Sequence, residues 1–310
     1  MILLNQKSYI MFAEKLTIQI NKLETKFKVY PNTLRPRGWI GAFISVAIGA
    51  SFALDHLSLQ AIINLVEVFL VLGPFTASAL YIINDIYDQE LDKKHPYKKS
   101  RTIASGEVGI LEGLIISGVL LVMALTFGYL INKILVVIIL LMVLLQLLYS
   151  VPPFRLKDSK VDFIFGGPLN HALRLCAGWS LFRPLSEAPF IFFSGLVSII
   201  CIPYIYYKII HKYLSISKKS LVSVWNEKQI GLLISLLLLC GCGLILLSVY
   251  VNEIERLALV WPIMIVCSFV LNKLLIPHSS SLGQDRYYIV SWLVFSLPAA
   301  LWYLIKYAIV

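Results

Sequence analysis

The sequence predicts an all-α, polytopic membrane protein, a bundle of about nine transmembrane helices. Hydrophobic residues make up 59% of the 310-residue chain and charged residues 14%, with a mean hydropathy of +0.82; soluble domains carry about 25% charged residues. Nine apolar blocks approach the roughly 20 residues that a helix needs to cross the hydrocarbon. None shows the period-2 alternation of an outer-membrane barrel, the other spanning architecture that lipid permits.

The N-terminal residues 1–32 interleave apolar positions with Lys7, Lys15, Lys22, Lys26 and Lys28. They lack the unbroken apolar core of a cleavable signal and read as an interfacial helix or a cytosolic lead-in. Spans follow near 38–54, 61–86, 111–130, 133–150, 162–182, 189–210, 230–250, 257–276 and 287–307. No fixed-period repeat or long linker divides them, so residues 33–310 form one membrane domain.

The 27 Lys and Arg residues could suggest nucleic acid, but their placement follows the positive-inside pattern instead. Basic residues collect in the lead-in and after the second, fourth, sixth and eighth spans. The far-side connections hold only Lys133, Arg183 and Arg256. The N-terminus and the even-numbered connections are therefore expected in the cytosol of a bacterial or archaeal cell, with the protein a multi-pass component of the plasma membrane. All five cysteines, Cys176, Cys201, Cys240, Cys242 and Cys267, fall inside spans with no metal-ligand spacing and read as small buried residues.

Chemistry concentrates where the second span leaves the bilayer, in Asn84-Asp85-Ile86-Tyr87-Asp88-Gln89-Glu90-Leu91-Asp92. If the helix continues, Asn84, Asp88 and Asp92 share one face, with Asp85 beside them. Like charges so placed repel unless something positive sits among them. Mg²⁺ answers that need, because it favours oxygen ligands and is usually held by one or two carboxylates together with substrate phosphates. The next segment runs from Lys93 to Gly106 and carries Lys98 and Arg101, cations suited to clamping phosphate oxygens. A solvated helix end offset by neighbouring lysines is the plainer alternative.

These residues resemble the UbiA superfamily of intramembrane prenyltransferases. Its N-D-x-x-D-x-x-x-D motif is matched by Asn84, Asp85, Asp88 and Asp92, and its R-x-x-x-x-G element by Arg101 and Gly106, with Thr102 in place of the usual Pro. Leu34-Arg35-Pro36 and the Y-S-x-P-P-x-R-x-K run from Tyr149 to Lys157 are similar too. The resemblance implies a lipid-open central cavity whose polar cap binds a Mg²⁺-diphosphate. Asn84, Asp85, Asp88 and Asp92 would hold the metal, and Lys157, Arg101, Arg37 and Lys98 the diphosphate. Asp88, Asp92, Lys157 and Tyr149 would form the catalytic set, with Tyr149 and Tyr87 able to shield a carbocation.

Most members of that superfamily carry a second acidic motif at the cytosolic end of the sixth span. Here Tyr204 to Lys212 contains no acid. Asp158 and Asp162 stand four apart and could supply a replacement face from the fifth span, with Asp162 the stronger metal candidate; both could equally be caps. Within the fifth span, Asn170 and Arg174 share a face and could bind the acceptor or form an interhelical hydrogen-bond set.

The expected reaction is transfer of a prenyl group from a polyprenyl diphosphate to a lipophilic or aromatic acceptor. The run from His95 to Gly106, and Lys157 followed by Asp162, also look like the polyprenyl-phosphate phosphoribosyltransferase branch. A lipid-binding or transport protein without turnover is the alternative from another class.

Overall fold

A computed structural model describes residues 29–95, 98–210 and 225–254. Helices α1 (Trp39–Ala53), α2 (Leu59–Lys94), α3 (Ile110–Ile131) and α4 (Lys133–Ser150) form an all-α bundle with α5 (Asp162–Phe165), α6 (Pro168–Trp179), α7 (Phe190–Ile210) and α8 (Glu227–Tyr250). Four runs, Leu59–Lys94, Ile110–Ile131, Lys133–Ser150 and Lys228–Tyr250, are long and apolar enough to cross a membrane. Leu111, Leu130 and Leu239 each leave about seven-tenths of their surface exposed, the apolar exterior expected of helices that face lipid. The spans expected at 257–276 and 287–307, and residues 1–28, lie outside the described residues.

Two expectations need correction. The second span does not stop near 86 but continues to Lys94, so the whole acidic run is helical. It also contains a π-helical stretch, Val71–Ala77, around Pro74. Proline lacks the N–H that an α-turn requires, and Thr76 Oγ1 donates to the Val71 carbonyl at 2.8 Å within this wider turn. The fifth span is broken at Gly166-Gly167 into α5 and α6, with Pro168 opening the second piece at a position that proline tolerates. Glycine is required at the break, where a β-carbon on Gly167 would lie 2.0 Å from the Tyr204 hydroxyl.

α1 and α6 approach closely through glycine. A β-carbon on Gly49 would meet the Leu175 carbonyl oxygen at 2.0 Å, and one on Gly178 the Val46 oxygen at 2.0 Å. Small residues at such contacts let backbones pack where lipid supplies no hydrophobic drive between helices. Two apolar clusters flank α6. One joins Ile48 to Leu175, Trp179, Phe192 and Leu196, and the other joins Val46 and Ala177 to α2, α3 and α4 through Val68, Leu72, Ala124 and Ile139. At one end of the bundle, Ile82, Ile103 and Val108 pack with Val29, Tyr30 and Leu34, fixing the chain before α1 against the acidic end of α2.

Candidate active site

The last turns of α2 present Asp85, Asp88 and Asp92 inward, with 5%, 9% and 3% of their surface exposed. Tyr87 and Glu90, on the same turns, are exposed. A buried carboxylate is unstable without compensation, and three approaching segments supply it.

The first is the turn before α1. Arg35 takes a left-handed conformation (φ 54°) and caps the short helix Pro36–Gly38. Ser78 Oγ ties this turn to α2 by donating to the Leu34 carbonyl at 2.9 Å while accepting from Trp39 Nε1 at 2.9 Å. The Arg35 guanidinium then donates to both oxygens of Asp85 and lies over the Tyr81 ring. Burial lowers its pKa from the ordinary value, and Asp85 opposes that shift; a guanidinium nevertheless keeps its proton in proteins.

The second is the connection between α2 and α3. Arg101 Nη1 bridges Asp85 at 3.1 Å and Asp92 at 2.6 Å. Gly106, at φ 83°, turns the chain back so that the Val108 N–H donates to the Thr102 carbonyl at 2.9 Å. That conformation explains the glycine of the R-x-x-x-x-G element. Thr102 accepts a 3.0 Å bond from Thr33 Oγ1 and so fastens the connection to the chain before α1. His95 accepts from the Lys98 N–H at 3.4 Å. Its pKa is lowered first by burial and then by the Lys98 charge.

The third is the turn after α4. Arg155, also left-handed (φ 37°), caps the turn Leu156–Asp158. Its Nη2 donates to Asp88 Oδ1 at 2.9 Å and its Nε to Asp158 at 2.8 Å. Lys157 Nζ reaches the same Asp88 oxygen at 2.6 Å and Asn84 Oδ1 at 3.4 Å. Ser150, the last residue of α4, donates to Asn84 Oδ1 at 2.8 Å and orients that amide. Burial lowers the Lys157 pKa, with Asp88 opposing the shift.

Asn84, Asp85, Asp88, Asp92, Arg101 and Lys157 thus come together. Arg37 is exposed on the turn that Arg35 caps, and Arg35 is the arginine that reaches the acids. The Tyr149 hydroxyl lies beside Gly166, 3.2 Å from where a β-carbon there would stand. Asp158 and Asp162 do not form a helical face, because Asp158 ends the turn after α4 and pairs with Arg155 while Asp162 opens α5. Asp162 is fully buried. Asn170 and Arg174 lie deeper, on α6. Arg35, Arg155 and Ser150 are the residues that sequence reasoning missed as site members, although each lies within an element it quoted.

Among the described residues, no group of three or more His, Cys, Asp or Glu side chains is gathered tightly enough to hold a metal by itself. The oxygens of Asn84, Asp85, Asp88 and Asp92 nonetheless fit Mg²⁺ in its usual mode. That mode takes one or two carboxylates, with water and substrate phosphate completing the sphere. Arg35, Arg101, Arg155 and Lys157 stand where they could exchange carboxylate for phosphate.

Residues 42–294 match the UbiA prenyltransferase family. The chain belongs to that family. The fold agrees: a UbiA homologue from Archaeoglobus fulgidus, solved with DMAPP and Mg²⁺, superposes with a TM-score of 0.70 at 19% identity, covering 88% of this chain and 98% of that one. A UbiA homologue from Aeropyrum pernix superposes at 0.66 with 13% identity, again over 88% and 98%. Among curated relatives, the decaprenyl-phosphate phosphoribosyltransferase of Corynebacterium glutamicum is 34% identical over 96 residues, 30% of this chain and 29% of that protein. The lycopene elongase/hydratase of Haloarcula japonica is 30% identical over 161 residues, 50% of this chain and 53% of the relative. The chain spans from under a third to about half of the length of these curated relatives.

Proposed function

We propose that this chain is an intramembrane transferase that expels diphosphate from an activated carbon at the end of α2, and that the carbon is C1 of a phosphoribosyl diphosphate. The acceptor in this reading is a polyprenyl phosphate. The observation that carries it is the concentration of cations on the acidic end: Arg35 on Asp85, Arg101 between Asp85 and Asp92, and Arg155 with Lys157 on Asp88. A phosphoribosyl diphosphate and a lipid phosphate bring more negative charge than a prenyl diphosphate and an uncharged acceptor. The stretch from Tyr204 to Lys212 contains no acid and carries Lys208 and Lys212, a sequence that suits anionic substrates better than a second metal. The likeness to decaprenyl-phosphate phosphoribosyltransferases supports the same reading.

When bound, Mg²⁺ would neutralise diphosphate charge, held by Asn84 and Asp88 with Asp85 and Asp92 in support. Lys157, Arg155, Arg101 and Arg35 would shift from carboxylate to phosphate oxygens and stabilise the charge that grows on the leaving group. The C1–O bond to diphosphate breaks with its electron pair leaving on diphosphate. A lipid phosphate oxygen forms the new bond to C1. The attacking dianion becomes a monoanionic diester, so no general base is required. By the distribution of its basic residues the site opens to the cytosol of a multi-pass plasma-membrane protein.

Prenyl transfer from a polyprenyl diphosphate to a lipophilic acceptor is the second reading. The Pro152-Pro153 pair and the likeness to a lycopene elongase/hydratase favour it. The deciding experiment offers purified protein labelled phosphoribosyl diphosphate with polyprenyl phosphate, and labelled prenyl diphosphates with lipid extract, each with Mg²⁺ or with chelator. Ribose label in the lipid phase supports the proposal. Prenyl transfer alone overturns it in favour of the second reading, and no turnover of either points to a lipid-binding role.

A further inference from the structure

Between Lys133 and Tyr149, helix α4 is apolar at every position except Gln146. An amide in such a segment is costly unless its hydrogen bonds are met. Ile138 and Met142, eight and four residues before it, are buried in the cluster that α4 shares with α2 and α3. Ser150, four residues after it, is fully buried and reaches Asn84. Helical spacing therefore puts Gln146 on the inward stripe of α4, one turn deeper than Ser150.

Gln146 Nε2 donates to Ser150 Oγ at 2.7 Å, and Ser150 Oγ donates in turn to Asn84 Oδ1 at 2.8 Å. The direction of this chain is set from its far end. Lys157 Nζ lies 3.4 Å from the same Asn84 oxygen, and an ammonium can only donate. Asn84 thus turns its oxygen, not its NH₂, toward both neighbours. A serine hydroxyl has one proton. Ser150 gives it to Asn84 and has only lone pairs for Gln146, which must present its NH₂. Without such a donor, a helical serine commonly turns its hydroxyl back to a carbonyl of its own helix, as Ser45 does to Gly41 in α1.

We propose that Gln146 is a positioning residue for the metal site, an inference that rests on Asn84 as a Mg²⁺ ligand in the reading above. By donating to Ser150 it holds that hydroxyl on Asn84. The Asn84 oxygen then stays turned into the site, with one lone pair engaged by Ser150 and the other left for a divalent cation. An amide rotated by half a turn would offer NH₂, whereas Mg²⁺ takes oxygen. Gln146 touches neither metal nor substrate and acts through Ser150.

The probe is the preformed complex of Mn²⁺ with inorganic diphosphate, since Mn²⁺ accepts the same oxygen ligands. Full-length protein in detergent is titrated with it, and bound Mn²⁺ is read by electron paramagnetic resonance without turnover. Gln146→Met keeps the length of the side chain but has no N–H to give. It should weaken Mn²⁺ binding about three- to tenfold, the range of one neutral hydrogen bond, and Ser150→Ala should do the same. The double variant should bind no worse than Ser150→Ala alone, because the two residues act in series. A merely structural role for Gln146 would multiply the two losses.

Wild-type affinity in Gln146→Met overturns the inference, as do multiplied losses in the double variant. Asn84→Ala separates this from the metal assignment. Weak binding there beside wild-type binding in Gln146→Met removes the positioning role alone. Wild-type binding in Asn84→Ala, or no binding by the wild type, removes the metal assignment and this inference together. Should Gln146→Met not fold, Gln146→Leu takes its place in the same cycle.

Discussion

Asp88 Oδ1 and Lys157 Nζ lie 2.6 Å apart, joining the acidic end of α2 to the turn that follows α4. Asp88→Asn keeps an oxygen that can still accept from Lys157 but removes the charge that would face a metal. Turnover should fall by about 100-fold or more while the fold persists. A thermal melt in detergent beside a steady-state assay checks this, and full activity in the folded variant would defeat the assignment.

The buried ammonium of Lys157 has a pKa below its ordinary 10.5. Between the folded-state value and 10.5 the unfolded chain holds more protons, so this group's contribution to stability rises with pH across that window. Substrate binding shows the opposite trend, because the charge that grips phosphate is lost earlier than in an ordinary lysine. The alkaline limb of kcat/KM should therefore fall below pH 10.5. Lys157→Arg should move that limb upward, and a profile identical in both proteins would rule Lys157 out as its source.

Arg155 adopts φ 37°, outside the range that L residues prefer. Arg155→Gly relieves roughly 1 kcal/mol of backbone cost, whereas Arg155→Ala keeps that cost; both lose the contact with Asp88. The glycine variant should melt above the alanine variant, with both binding diphosphate about tenfold more weakly. Equal melting temperatures would show that the turn carries no strain.

A methyl group on Gly167 has no room beside the Tyr204 ring. Gly167→Ala should destabilise by about 1–3 kcal/mol. Adding Tyr204→Ala should recover part of that loss, because it removes the obstructing ring. Simple additivity of the two losses would show that the Tyr204 ring is not what excludes the methyl group.

The sequence exposes apolar length and charge placement well, and those two signals place the spans near 111–130 and 133–150 and the acidic run at the end of α2. α4 begins and ends where hydropathy puts it, at Lys133 and Ser150. What was not legible depends on three-dimensional approach. Nothing in a hydropathy profile shows that Tyr204 presses on Gly167, so the fifth span reads as continuous. Arg35 and Arg37 are equally basic neighbours, and only the left-handed turn at Arg35 turns that side chain toward Asp85. The replacement of acidic metal ligands by Asp158 and Asp162 presupposed a helix between them, which the turn at Leu156–Asp158 interrupts.

The continuous helix from Leu59 to Lys94 is 36 residues long, roughly 54 Å at helical rise, against about 30 Å of hydrocarbon. Such a rod overshoots the oily layer at the tip that bears its aspartates. In the proposed reaction, polyanions would thereby be handled in the wet headgroup zone while a greasy tail stays dissolved below. The two immiscible halves of that chemistry would come within reach of each other without either leaving its preferred solvent.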